Sequence, residues 1–248
     1  MSDIVIRARR ILIVKHLTNI EVKERTCPAM HSDPGACILS PRCKGEVGEF
    51  QMTDTERYDL TIRRIDETNS EDPNSELVDG VSQPRELVYG MRMSRWVETL
   101  DPEASEALRL AVRSQHIRRW EIPRSDYPTG RAGYHRWRTT LYRFHADTVA
   151  DILRDTGYDD DTIARVRELV QKRRLGSDPE VQTLENAAAL VFLEHHLDGF
   201  AERNNMDEAK AIDVIRKTWK KMTEPGHQAA LALTLSPESQ RLVEKALS

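Results

Sequence analysis

From Met52 onward apolar residues recur at helical spacing with few interruptions. Tyr58, Ile62 and Ile65 mark the inward face of a first helix, and the polar segment NSEDPNSELVDGVSQP at 69–84 then breaks it with turn chemistry. Pro84 opens a second helix, carrying Leu87, Met91, Trp96 and Leu100. Asp101 before Pro102 reads as an N-cap followed by proline at the first helical position, which predicts a third helix from Pro102 to about Trp120. Beyond the loop EIPRSDYPTGRAG, a long helix runs through Tyr134, Trp137, Leu141, Phe144, Val149 and Leu153 and stops at Gly157. Asp160 or Asp161 caps the next, with Ile163, Val166 and Val170 inward. The helix that begins near Pro179 is apolar on nearly every side between Ala187 and Leu193, the pattern of a central buried helix. Two more helices are expected, Asp207–Met222 and from Ser236-Pro237 to Leu247. With no strand alternation and no repeat, the predicted fold class is all-α, a single compact multi-helix domain over 52–248.

Residues 1–51 break this pattern. A β-branched apolar start gives way to Pro-, Gly- and Cys-rich sequence without helical period, so an irregular N-terminal extension is expected, either a disordered leader or a misassigned upstream extension. The basic first twenty residues also allow a transit peptide, against which Asp3 counts. All three cysteines lie here, and Cys27, His31, Cys37 and Cys43 form a weak candidate zinc set without the short knuckle spacing of strong sites. The cysteine-free remainder fits a reducing cytoplasm. No apolar run approaches the ~20 residues of a membrane helix. A pI of about 6.1 argues against nonspecific DNA binding.

Charge is unevenly spread. Arg113 to His145 holds eight arginines, no lysine and two acids, in a chain whose formal net charge is −4. Arginine's planar fork grips phosphate or carboxylate oxygens in pairs, so the segment predicts an anion site. The candidate substrate contacts are Arg118, Arg119, Arg124, Arg131 and Arg138, with Lys172 adding a point charge; the alternative is a solvated helix surface. Within the segment, His116 follows Val112 by four residues and His145 follows Leu141 by four, which turns both inward. With Glu185 at the start of the most buried helix they are candidate ligands of one divalent metal and candidate catalytic residues. Glu194, His195 and His196 form a second cluster, of which one helical face cannot hold all three. Trp120 and Trp137 either stack a base or fill core, and core is the expected role.

The words EDPN at 71–74, PRELVYGMRM at 84–93, QHIRRWEIPR at 115–124, RAGYHRWR to FHA at 131–146, DPEVQTLE at 178–185, LVFLE at 190–194 and RKTWKKM at 216–222 resemble, in order, the domain of unknown function 4202 family. Members of that family are often labelled glutamyl-tRNA synthetase. The nucleotide-fold signatures that such a label implies are missing here, so synthetase activity is not expected. More distantly, the helical order resembles HD-domain metal phosphohydrolases, which implies an HD-like arrangement with His116, His145 and Glu185 at ligand positions. Ile117 stands where the paired aspartate of that family would be, and Asn186 where a further acid is expected. These departures favour a single metal, or none, over two.

Two functions are therefore expected. One is an HD-like metal-dependent hydrolase of a phosphorylated small molecule or nucleotide, with a metal oxygenase as a close variant. The other is a noncatalytic binding module for nucleotide, RNA or another polyanion, possibly tied to translation. An interaction scaffold whose arginines mostly make ion pairs is a third reading.

Overall fold

The computed structural model describes residues 52–248. The leader, extension and transit-peptide readings of residues 1–51, and the candidate zinc set Cys27, His31, Cys37 and Cys43, lie outside the described residues.

Helix α1 (Asp54–Ser70) opens with a capping box in which Thr53 and Glu56 satisfy each other's backbone N–H groups. The polar segment after it folds into a two-stranded antiparallel hairpin, β1 (Ser75–Val78) and β2 (Val81–Pro84). Its two-residue turn is Asp79-Gly80, both at positive φ, the sequence such a turn demands. The absence of strand alternation predicted no strands, and this hairpin is the exception within a helical fold. Helix α2 (Arg85–Leu100) follows directly, its first backbone N–H groups partly satisfied by Asp72, which accepts from Glu86 N at 3.0 Å.

Helix α3 is shorter than expected, Glu106–Arg113. Ser105 rather than Asp101 is its N-cap, accepting from Leu108 N at 3.1 Å. The chain leaves the helix after Arg113 and turns at Arg118, whose left-handed backbone (φ 52) is held by a hydrogen bond from its N–H to the buried Asn69 Oδ1. Two short 3₁₀ turns, Arg119–Glu121 and Arg124–Asp126, lead to α4 (Gly130–Asp155). Gly133 is obligatory there, because a Cβ would lie 1.8 Å from the Pro128 carbonyl oxygen. At the far end Tyr158 N bonds Leu153 O and Gly157 N bonds Arg154 O, a Schellman stop with Gly157 at φ 83. Asp159, not the two aspartates after it, caps α5 (Asp160–Val170).

Helix α6 (Pro179–Val191), capped by Asp178, is the central element. Its early turns, through Val181, Leu184 and Ala187, pack into a core built with α2, α3, α4 and α5. Its last turn, with Ala189 and Leu190, belongs to a second core. That core is completed by α8 (Glu208–Trp219), α9 (Glu224–Leu231) and α10 (Pro237–Leu247), while α7 (Phe200–Arg203) is a single turn before α8. Serving two cores explains why α6 is apolar on nearly every side. Truncating the fully buried Leu184 or Leu190 to alanine is expected to cost about 2–5 kcal/mol. Asn186 is buried on α6, donates from Nδ2 to Thr223 Oγ1 and accepts Thr223 N, so it fastens the start of α9.

Candidate functional site

Where the two cores meet, α6 continues into a π-helical turn, Phe192–His196. Such turns insert a residue into the helical register and change the direction of the side chains beyond. Glu194 and His195 face α2: Glu194 accepts from Arg95 at 2.6 Å and from Trp96 Nε1 at 2.8 Å, and lies 3.0 Å from His195 Nε2. His196 instead lines a cavity of about 270 Å³. The second predicted cluster is thus split between two surroundings, as one helical face requires.

The cavity lies between α2, the corner joining α3 to α4, α4 itself, the turn after α5, α6 and the end of α8. Both predicted histidines line it. His145 is 1% exposed, and its Nδ1–H donates to the Ile117 carbonyl at 2.7 Å. The strained corner at Arg118 aims that carbonyl. With Nδ1 carrying the proton, Nε2 is left as a bare acceptor, and it has no partner among the described residues. Burial, reinforced by Arg119 and Arg138, holds this imidazole down to about 3, so it is neutral at physiological pH.

His116 is held in the same tautomer by different means. Its Nε2 lies 3.5 Å from Arg119 Nη1, which can only donate, so the proton is on Nδ1 and is donated to Glu86 Oε2 at 3.1 Å. Tyr89 stacks on the ring at 3.9 Å between centroids, with 10° between planes. Burial and the neighbouring Arg119, His145, Lys172 and Arg138 keep His116 well below the ordinary histidine range. Burial pushes the Glu86 carboxyl up to about 7, against the pull of Arg119.

Four cations from four parts of the chain reach this space: Arg119, Arg138, Lys172 and Lys221. Arg119 lies over the Trp137 ring at 4.8 Å, and Trp137 is fixed at its edge by donating Nε1–H to the Ile122 carbonyl. Trp137 therefore fills core, as expected, and also forms the platform for a cavity arginine. Arg138 is braced by the hydroxyls of Tyr134 and Tyr142, and among the described residues it has no carboxylate within ion-pair distance. Lys172, presented at φ 53, pairs with Glu185 at 2.5 Å, and Lys221 approaches the same carboxylate at 3.4 Å. Burial raises the Glu185 carboxyl, but the two lysines outweigh it and hold it below its usual range.

The structure thus brings together His116, His145, Glu185, Arg119, Arg138 and Lys172 from the predicted set. Arg118, Arg124 and Arg131 do not line the cavity. Arg118 is bonded to Glu121, Arg124 to the carbonyls of Tyr127 and Pro128, and the exposed Arg131 to His135. Among the described residues no three His, Cys, Asp or Glu side chains are grouped closely enough to hold a metal ion. Sequence reasoning missed Glu86, Tyr89, Gln115, Tyr142 and Lys221. The family words PRELVYGMRM and QHIRRWEIPR contained Glu86, Tyr89 and Gln115, and RKTWKKM contained Lys221, but only the tertiary packing joins them.

A family model described as a domain of unknown function, number 4202, matches residues 59–243. No curated protein and no solved structure matches the chain. Among the described residues no helix is long and apolar enough to cross a membrane.

Proposed function

Since the chain belongs to the domain of unknown function 4202 family, a membership that specifies no reaction, we propose from the chemistry of the cavity that the protein hydrolyses a small phosphorylated molecule. The observation that carries this reading is the convergence of Arg119, Arg138, Lys172 and Lys221 on one small cavity containing a single ion-paired carboxylate, Glu185. Cations fixed away from bulk water favour an anion that brings more than one negative charge and stabilise charge that grows on phosphoryl oxygens. A volume of about 270 Å³ suits a monoester rather than a polymer.

His116 is the proton-transfer group in this reading. Its Nε2 takes a proton from the attacking water and returns it to the leaving oxygen as the P–O bond breaks, while Glu86 in its ionised form fixes the tautomer and balances the transient imidazolium. A reducing cytoplasm suits a domain that has no cysteine after Cys43.

The test is calorimetric titration of the full chain with inorganic phosphate, together with phosphate release from a panel of phosphomonoesters. Saturable phosphate binding is expected, with turnover of at least one ester that falls by about 10²-fold or more in His116→Asn. Absence of both binding and turnover overturns the proposal. RNA binding that weakens steeply with salt, without turnover, supports the noncatalytic polyanion reading instead.

One observation favours a metal-assisted form of the same hydrolysis. Both histidines have Nδ1 held by a fixed acceptor, as ligating histidines usually do, which leaves two Nε2 atoms for one divalent ion. The ion would supply a water of lowered pKa. Near-stoichiometric metal in untagged protein, lost in both His116→Ala and His145→Ala, is the expected result for this form.

A further inference from the structure

The cations account for the donors of the cavity, but not for two of its acceptors. Gln115 is 2% exposed and its Nε2 faces the Val170 carbonyl at 3.4 Å, which orients the amide and leaves Oε1 as the free end. That oxygen and His145 Nε2 are buried acceptors without a partner among the described residues, and both side chains line the cavity. A buried acceptor left without a donor is costly, so native sites supply one. A fully ionised phosphate cannot do so, because it has no proton to give. Neither cavity arginine bonds these two acceptors: Arg119 lies over Trp137 with Nη1 toward His116, and Arg138 bonds the Tyr134 and Tyr142 hydroxyls.

We infer that the ligand is a hydroxyl-bearing phosphomonoester of the sugar- or polyol-phosphate class, with its phosphate among the four cations and its hydroxyls donating to Gln115 Oε1 and His145 Nε2. The inference rests on the phosphate reading above and adds the chemistry of the remainder of the molecule. Leu141, Ala188 and Phe192 supply the apolar part of the wall, against which a carbon skeleton packs. Glu185, held by its lysines, closes the cation side.

The assignment is tested with the full chain by calorimetry, comparing inorganic phosphate, propyl phosphate and a panel of three- to six-carbon sugar and polyol phosphates. At least one panel member is expected to bind tenfold or more tightly than propyl phosphate, because an analogue without hydroxyls leaves both acceptors unpaired. Gln115→Leu is expected to lower the ratio of that member's affinity to that of propyl phosphate by about threefold or more. Panel members that all bind no better than propyl phosphate overturn the hydroxyl assignment and leave the phosphate site standing; no binding of any probe removes the phosphate reading itself. A divalent metal that co-purifies and disappears in His145→Ala places a metal, not a hydroxyl, on that nitrogen and also overturns the assignment.

Discussion

Two arginine clusters, one at the N-terminal end of α6 and one in the cavity, use the same side chain in opposite ways. Outside the cavity, Arg165 is saturated with carboxylate: it grips Asp178 through both terminal nitrogens, at 2.6 and 2.9 Å, and also holds Glu180. Inside it, Arg138 bonds two tyrosine hydroxyls and, among the described residues, no carboxylate. A cation matched by acids contributes to the fold, whereas a half-buried cation held in place without an acid is available to an anion from outside. The segment richest in arginine therefore locates the site less accurately than the pairing of each arginine does.

Among the charged residues, breaking the matched cluster gives the largest effect. Asp178→Ala removes the N-cap of α6 and strips Arg165 of its bidentate partner, and is expected to destabilise the fold by about 3 kcal/mol in denaturant unfolding. Hydrogen bonds from Arg165, joined by those from Val181 and Glu180 N–H and only partly opposed by burial, hold the Asp178 carboxyl down to about 2, against 3.8 for a free aspartate. Its folded pKa is depressed, so this stability is present above about pH 4 and is lost as the pH falls toward 2. The variant should show a shallower acid limb over that window; an unchanged limb would mean that the cluster is not ionised as described.

Lys172→Met comes next, and it stands between the two clusters because Lys172 both pairs with Glu185 and faces the cavity. Removing it leaves a buried carboxylate with only the more exposed Lys221 at 3.4 Å, for an expected loss of about 1–3 kcal/mol. Glu185 should then titrate at a higher pH, which carboxyl-resolved NMR can follow. Phosphate affinity should fall as well, since a positive charge is gone from the wall.

The helices were legible where local chemistry decides them. Gly157, Pro179 and Ser236 mark real termini, each through a hydrogen bond or backbone angle that belongs to its own segment. The third helix was misjudged because Asp101-Pro102 and Ser105 both satisfy the pattern of a cap, and Ser105 is the one whose side chain meets the helix N–H groups. The Asp79-Gly80 turn carried a hairpin signal that the surrounding polar residues obscured. The inward direction of His145 followed from its four-residue spacing after Leu141 on α4, whereas His116 turns inward from the corner beyond the end of α3, where helical spacing from Val112 does not apply. What spacing cannot show is tertiary: Glu86 stands 30 residues from His116 and Lys221 36 residues from Glu185. The fate of each arginine likewise depends on whether an acid or a carbonyl is packed beside it. The family resemblance proved right, and Asn186, its departure from the more distant HD pattern, has a structural task in holding Thr223.

Arg138→Gln separates binding from folding. Because Arg138 bonds only tyrosine hydroxyls and no carboxylate loses its partner, stability should stay within about 0.5 kcal/mol of the parent. Phosphate affinity should fall about tenfold, about 1.4 kcal/mol. A variant that unfolds easily while binding phosphate normally would reverse the roles assigned to the two clusters.

The smallest effect is expected from the arginines that composition singled out and packing set aside. Arg131 is exposed at the start of α4 and touches His135, and Arg136 on the same helix faces solvent. Replacing both with glutamine should shift stability by less than about 0.5 kcal/mol and leave phosphate affinity within about twofold. If the double variant instead loses RNA binding measured at low salt while Arg138→Gln keeps it, the exposed face of α4 rather than the cavity is what the arginine segment was built for. Two variants on one helix, one altering its inward face and one its outward face, therefore decide between a pocket for a small anion and a surface for a long one.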